Sequence, residues 1–403
     1  MTRLSEYLQN LQRFGIRPGL ERIEALLQRV GNPYQKYPHI LIGGTNGKGS
    51  TCEFAARMLA QNGRRIGLFT SPHLYEWNER IRILPGEGLF QGAISDAELD
   101  ALFDHGLPHI EAVAAELGQP TEFEVLTFLG LWHFERVQVD AAVIEVGLGG
   151  KWDATNVTDP LVSVVTHVAL DHMDRLGNTL EEIAADKVCI ARPTHPFITG
   201  EWKQEVLEVF RTHCTSIGAI FEQIALPNQN FDRQNRALAI KVVGEFASHL
   251  DWSHSLPNSF MDGVPGRTEK IADSPALYID GANNPDGAQK LIEFFQERVP
   301  IPRENFVLVL GILADKNWRE MAAILAPMAR AVICCQSESP RALNAEELAT
   351  YTRNFCENTE VISNVKLAVE RARELASRED TILVTGSFTT IAEVPRETLA
   401  GSS

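Results

Sequence analysis

The sequence predicts a two-domain α/β protein, and three observations predict it. The first is an apolar run, His39-Ile40-Leu41-Ile42, that ends in the Gly-rich turn Gly43-Gly44-Thr45-Asn46-Gly47-Lys48-Gly49-Ser50-Thr51 and passes into a helix-like stretch from Glu53 to Leu59. The second is the regular alternation of strand-like and helical runs that follows a Pro- and Gly-bearing stretch at 255–266. The third is length: 403 residues exceed what a single hydrophobic core ordinarily organises.

A strand, a glycine turn and a helix N-terminus make a cradle for phosphate. Free N–H groups and the helix dipole favour a polyanion, and glycine lets the backbone come close. Lys48 is placed to reach outer phosphates, and Ser50 or Thr51 to face a magnesium ion. The spacing departs from the usual G-x-x-x-x-G-K-[ST] loop: Ile42 stands where the first glycine belongs, and Gly49 follows the lysine.

Composition narrows the function classes. A hydrophobic share of 44% and a charged share of 22% describe a soluble globular chain. The net charge of −16 argues against nucleic acid as a partner, because phosphate-backbone binding needs a basic footprint. Six scattered cysteines form no C-x-x-C pair, as expected of a reducing cytosol. Residues 1–14 are polar and amphipathic, unlike a signal peptide, and no apolar run is long enough to span a membrane. A cytoplasmic protein is expected, and a monomer, since no long apolar seam is evident.

Along the chain, 4–11 and 21–30 read as amphipathic helices joined by a turn at Gly19-Leu20. Residues 65–70 form a buried strand ending in Ser71-Pro72, which puts Ser71 at a strand's C-terminal end, where α/β sheets bind ligands. Residues 75–92 read as an irregular loop or lid, and 96–117 as a helix. Thr121 and Glu124 have capping-box spacing at the head of a helix over 125–137. The strand 140–146 carries Glu145 inside an apolar run, a costly placement unless the charge is paired or binds metal. A glycine loop, 147–150, leads to Asp153-Ala154; the next strand, 161–168, runs into Asp171-His172, a candidate metal or phosphate contact. In the helix opened by Thr179, residues Ile183, Lys187 and Ile190 share one face; a lysine there must snorkel, be paired or be chemically altered. A further helix begins near Asp232 and carries Asn235. Beyond the linker, strands at 276–280, 306–311, 331–335, 361–362 and 381–385 alternate with helices, a pattern for a mostly parallel sheet.

Together these stretches resemble the folylpolyglutamate synthase/dihydrofolate synthase family of the Mur ligase superfamily. The resemblance rests on Gly44-Thr45-Asn46-Gly47-Lys48-Gly49-Ser50, Thr70-Ser71-Pro72-His73-Leu74, residues 145–150, Asp153-Ala154-Thr155-Asn156, Asp171-His172, Lys187, Pro265-Gly266-Arg267, residues 280–285 and residues 311–316, in the family's order and across nearly the whole chain. The extra loop glycine is a feature of this superfamily. The resemblance implies a Mur-ligase-like P-loop ATPase domain at 1–262, followed by a smaller Rossmann-like domain at 263–403.

It also implies an ATP-dependent amide ligase that adds L-glutamate to a pterin-linked carboxylate through an acyl phosphate. By the same resemblance, Asn46, Gly47, Lys48, Gly49 and Ser50 hold the ATP phosphates, and Asn235, Arg267 and Asp280 contact the nucleotide. Ser71, Glu145 and His172 would serve the Mg2+ site together with Lys187, which matches the family's carbamylated lysine. Lys48, Lys187 and His172 would carry the chemistry. Gly19, Leu20 and Arg22, with Thr121, Phe123 and Glu124 and the Asp153-Ala154 loop, would line the pterin side.

Three departures fall on the acceptor side. Asn283 and Lys151 stand where the family commonly has His and Arg, and Asp286 adds a negative charge. Two other readings therefore accompany the first: a Mur-type ligase for a different carboxylate or amino acid, and a non-catalytic nucleotide-binding regulatory module.

Overall fold

The computed structural model describes residues 2–11, 17–61, 63–224, 230–252 and 263–396. The chain divides into two compact units, Met1–Met261 and Asp262–Ser403. Residues 255–262 of the expected linker, and with them the expected domain boundary, lie outside the described residues.

The first unit begins with helices α1 (Arg3–Leu11) and α2 (Glu21–Arg29). Then come β1 (His39–Gly43), α3 (Lys48–Gln61), β2 (Ile66–Phe69), β3 (Ile81–Leu84), α4 (Asp96–Leu117), α5 (Glu122–Arg136) and β4 (Ala141–Glu145). They are followed by β5 (Val162–Val165), α6 (Met173–Leu176), α7 (Leu180–Lys187), β6 (Pro196–Thr199), α8 (Gln204–Ile217), β7 (Ile220–Gln223) and α9 (Phe231–His249).

Their sheet runs β3-β2-β4-β1-β5-β6-β7, parallel except for β3. The strands β1, β2, β4 and β5 are buried along their whole length, which is why they read as unbroken apolar runs. Register decides what meets at the sheet's edge. Ile42 pairs with Glu145, Phe69 with Ile144 and Gly43 with Val165. The loops after β1, β2, β4 and β5 therefore leave one edge of the sheet side by side. Residues Thr51 to Ala60 of α3 are buried all round, and α9 packs along that helix.

The 75–92 stretch is more ordered than expected, since it contains strand β3. Arg82 hid this strand from sequence reading. Its side chain is fully buried on β3 and its Nη2 is paired with Glu53 of α3, a carboxylate that Arg57 also holds at 2.6 Å.

The second unit contains β8 (Glu269–Asp273), β9 (Ala276–Asp280), α10 (Pro285–Arg298), β10 (Phe306–Leu310), α11 (Trp318–Leu325) and β11 (Ala331–Gln336). It ends with α12 (Ala345–Thr352), β12 (Thr359–Asn364), α13 (Val365–Leu375), β13 (Thr381–Thr385) and α14 (Phe388–Ala392). Its sheet runs β12-β11-β10-β13-β9-β8, parallel except for the edge strand β8. The mostly parallel sheet expected from the strand–helix alternation is present. Among the described residues no helix is long and apolar enough to cross a membrane.

Candidate active site

The phosphate loop is set by its neighbours. Gly44 and Gly47 have φ of +141° and +88°, backbone states that L side chains rarely adopt. A Cβ on Gly44 would collide with the Thr166 hydroxyl, and one on Gly47 would come 2.5 Å from Asn235 Oδ1. Thr166 Oγ1 donates toward the carbonyls of Gly43 and Asn46, at 3.2 and 2.7 Å. Thr45 N donates to the His167 carbonyl at 2.6 Å, and Thr45 Oγ1 accepts from Ala169 N at 3.1 Å. Of the hydroxyl pair that follows, Thr51 is fully buried in the packing of α3, leaving Ser50 as the half-exposed member.

Two lysines converge on this loop. Lys48 Nζ donates to the Gly44 and Thr45 carbonyls at 3.1 and 3.2 Å. Lys187, the last residue of α7, lies 3% exposed between Ile183 and Ile190, and its Nζ reaches the same Gly44 carbonyl at 3.1 Å. Burial, reinforced by the Lys48 charge, pulls the Lys187 amine down to about 7. Of the three expected fates for this lysine, snorkelling is excluded: the ammonium end is inside.

Beside the lysines lies the carboxylate that the sequence singled out. Glu145 ends β4 with its side chain buried, and Oε2 accepts the Ser71 N–H at 2.9 Å. Gly49 stands so close that a Cβ there would touch Glu145 Oε2 at 3.5 Å. Ser71, Glu145 and the start of α3 thus share one spot, as register requires. His172 has a left-handed backbone and precedes α6; its N–H is held by Asp171 Oδ1 at 2.9 Å, and its ring is partly exposed. Among the described residues no three His, Cys, Asp or Glu side chains converge as a self-sufficient metal cage. The oxygen donors present suit Mg2+, which binds through one or two carboxylates, waters and substrate phosphates.

The expected pterin-side residues play unequal parts. Thr121 caps α5, and Glu124 closes the capping box by accepting Thr121 N at 2.7 Å. Glu124 also pairs with the buried Arg22, at 3.1 Å from Nε. Both are therefore committed to holding α2 against the start of α5. Gly19 turns at φ +120°, and Leu20 packs on the core. Phe123 lies half-buried against the Gly147 backbone and 6.0 Å from the Phe69 ring. Asp153 accepts Leu148 N at 2.9 Å through one oxygen and Thr155 N and Oγ1 through the other, which folds its loop and buries Ala154. Burial raises the Asp153 carboxyl, against the pull of the Thr155 hydroxyl.

In the second unit Asp280 ends β9. Its two oxygens accept Thr268 N at 2.7 Å and Ala282 N at 2.8 Å, while Arg267 lies over the Phe388 ring at 4.4 Å. Burial raises the Asp280 carboxyl and the Arg267 charge opposes it. Of the departures, Asn283 is half-buried just before the α10 cap Asn284, and Asp286 lies in that helix's first turn. Lys151 is exposed, its ammonium 5.0 Å over the Trp152 ring.

Sequence reading missed the buried groups that brace the site. Arg80 is buried beside Trp77 and bonds His73 Nδ1 at 3.0 Å. Glu201 is wholly buried at the end of β6. Neither belongs to a motif; the signal was only a charge at the end of an apolar run for Glu201 and at the start of one for Arg80.

A phosphate loop flanked by a buried carboxylate and a buried lysine, on a parallel sheet followed by a second α/β unit, defines a Mur ligase, an ATP-dependent ligase. Residues 266–388 match the Mur ligase, glutamate ligase domain. The chain belongs to the dihydrofolate synthase/folylpolyglutamate synthase family: it is 33% identical to a Bacillus subtilis dihydrofolate synthase/folylpolyglutamate synthase over 95% of both chains. It is similar to Escherichia coli FolC in complex with DHPP and ADP, with TM-score 0.84, 29% identity and 96% of each chain covered. It is also similar to the Yersinia pestis bifunctional folylpolyglutamate synthase/dihydrofolate synthase with Mn, AMPPNP and L-glutamate bound, with TM-score 0.81, 28% identity and 96% of each chain covered.

Proposed function

We propose that this chain joins the α-amino group of L-glutamate to a pterin-linked carboxylate at the expense of ATP. The observation that carries this reading is the meeting of Lys48 and Lys187 at the Gly44 carbonyl, beside Glu145 and Ser71.

A carboxylate and an amine do not condense usefully in water. Transfer of the ATP γ-phosphoryl to the acceptor carboxylate makes an acyl phosphate; the glutamate amine then attacks its carbonyl carbon, the C–O bond to phosphate breaks, and an amide, phosphate and ADP result. The protein's part is positioning and charge neutralisation. The N–H groups of 46–50 receive phosphate oxygens, and the Lys48 ammonium stands over the outer ones. Ser71, Glu145 and His172 would hold Mg2+, which supplies positive charge to the transferring phosphoryl group. With an amine at about 7, Lys187 is partly neutral near neutral pH and open to reaction with carbon dioxide. The carbamate so formed would turn a stranded cation into an oxygen anion. Asn235, Arg267 and Asp280 are assigned to the nucleotide. Phe123 offers apolar surface to the pterin side, with Arg22, Thr121, Glu124, Asp153 and the buried Ala154 holding that surface in place.

Residues 1–262 are assigned as the ATP-binding ligase domain and 263–403 as the glutamate-ligase domain; the match at 266–388 and the two compact units support this division. A cytoplasmic enzyme is part of the same reading, supported by six free cysteines, five of them buried, and a monomer is proposed with it.

The test is ADP release by purified protein with ATP, magnesium and L-glutamate, in separate arms with dihydropteroate, tetrahydrofolate or neither. Glutamate-dependent release in a pterin arm, abolished in Lys187→Ala, is expected. ATP binding without turnover in any arm would overturn the assignment and turn attention to Asn283 and Lys151.

A further inference from the structure

We propose that Glu201 is a positioning residue for nucleotide binding, acting through the 166–169 segment on the phosphate loop. The inference rests on the nucleotide-binding part of the proposed function.

Glu201 follows β6, outside every motif of the chain, and its side chain is 0% exposed. A buried carboxylate persists only when its oxygens are satisfied. Oε1 accepts Trp202 N at 2.8 Å and Lys203 N at 3.1 Å; Oε2 accepts Val168 N at 2.8 Å and lies 3.3 Å from His167 Nδ1. Lys203 Nζ closes the group, 3.4 Å from Oε1 and donating to the Val168 carbonyl at 2.8 Å. The Trp202 ring stacks on the His167 ring at 4.9 Å, and Phe231, which abuts Gly47, meets His167 edge-on.

The 166–169 segment connects this carboxylate to the phosphate loop. Residues 166–169 are fixed on one side by Glu201 and on the other by Thr45, which donates to the His167 carbonyl and exchanges bonds with Ala169 through its hydroxyl. Thr166 Oγ1 in addition donates to the Asn46 carbonyl. The same segment continues into Asp171 and His172. One buried carboxylate thus sets both the curvature of the loop that cradles phosphate and the start of the turn that carries His172. A glutamine cannot replace it. Its single carbonyl oxygen serves at most half of these donors, and its NH2 group faces N–H groups.

The experiment measures ADP affinity by calorimetry, and KM for ATP, glutamate and the pterin acceptor, in full-length wild type, Glu201→Gln and Lys203→Met. The expected result for Glu201→Gln is an ADP Kd and an ATP KM raised at least tenfold, with the KM values for glutamate and acceptor within twofold of wild type. A merely structural role would instead lower kcat and the melting temperature while leaving ADP affinity alone. That pattern, or an ADP Kd within twofold of wild type, overturns the proposal. Should Glu201→Gln fail to fold by circular dichroism, Lys203→Met decides: a Kd raised at least threefold supports the proposal and an unchanged Kd overturns it. Wild type that binds ADP without glutamate-dependent turnover would defeat the proposed function, while the affinity comparison would still judge Glu201.

Discussion

Lys48 and Lys187 donate to one and the same acceptor, the Gly44 carbonyl, each at 3.1 Å. Two ammonium groups do not share a buried carbonyl at rest without cost. Here the more buried one yields: the Lys187 amine is brought down to about 7, first by burial and next by Lys48. The folded value lies below the unfolded one, so the unfolded chain binds more protons between the two. The Lys187 contribution to stability therefore rises with pH from about 7 toward about 10. In the same direction, bicarbonate added to decarbonated enzyme is expected to stimulate glutamate-dependent turnover more at pH 8 than at pH 6. Lys187→Ala is expected to lower turnover at least a hundredfold and remove the bicarbonate response. A Lys187→Ala enzyme with wild-type turnover would show that this amine has no part in the chemistry.

Gly47 is held at φ +88° against Asn235. Gly47→Ala is expected to weaken ADP binding more than tenfold and to lower stability by about 1–2 kcal/mol, the cost of a Cβ in left-handed backbone. Calorimetry and urea unfolding measure the two effects; unchanged affinity would mean the loop tolerates a shift of Asn235.

Arg22 and Glu124 form a buried pair that also closes the α5 cap. Arg22→Met leaves a buried carboxylate without its cation and is expected to cost about 3 kcal/mol in urea unfolding. The Arg22→Met/Glu124→Gln double variant is expected to recover part of that loss. In both, KM for the pterin acceptor is expected to rise while KM for ATP stays constant, since the proposed function places the pair on the acceptor side. A rise in the ATP value instead would assign the pair to the nucleotide.

His39 begins β1 and is buried, with burial bringing its ring down to about 4. Between the ordinary value near 6.5 and about 4, the unfolded chain takes up a proton that the folded chain refuses, so stability falls as pH falls. Unfolding free energy is expected to be about 2 kcal/mol lower at pH 5 than at pH 7 from this group alone. His39→Leu is expected to flatten that slope, and an unchanged slope would place the proton elsewhere.

The sequence revealed most clearly those features whose physics is local. The phosphate loop is continuous in the chain, and Glu145 and Lys187 stood out because a charge on an apolar stripe demands a reason. The strands β1, β2, β4 and β5 were equally plain, being buried on both faces. What was hidden depends on partners distant in sequence. Strand β3 was obscured by Arg82, whose charge makes sense only opposite Glu53 of α3. Glu201 looked like a polar residue after a short strand, because its partners at 167–168 are some thirty positions earlier. For Glu124 and Asp153 the motif singled out the segments but not which donors their carboxylates hold. Their oxygens are occupied by protein donors, Thr121 and Arg22 for the one and Leu148 and Thr155 for the other.

In the proposed reaction the acceptor carboxylate is activated by phosphoryl transfer before the amine attacks. Turnover with dihydropteroate labelled with oxygen-18 in its carboxylate, followed by mass spectrometry of the released phosphate, tests it most directly. One labelled oxygen is expected in phosphate for each glutamate joined, the other label remaining in the amide. Amide formation with unlabelled phosphate would contradict it.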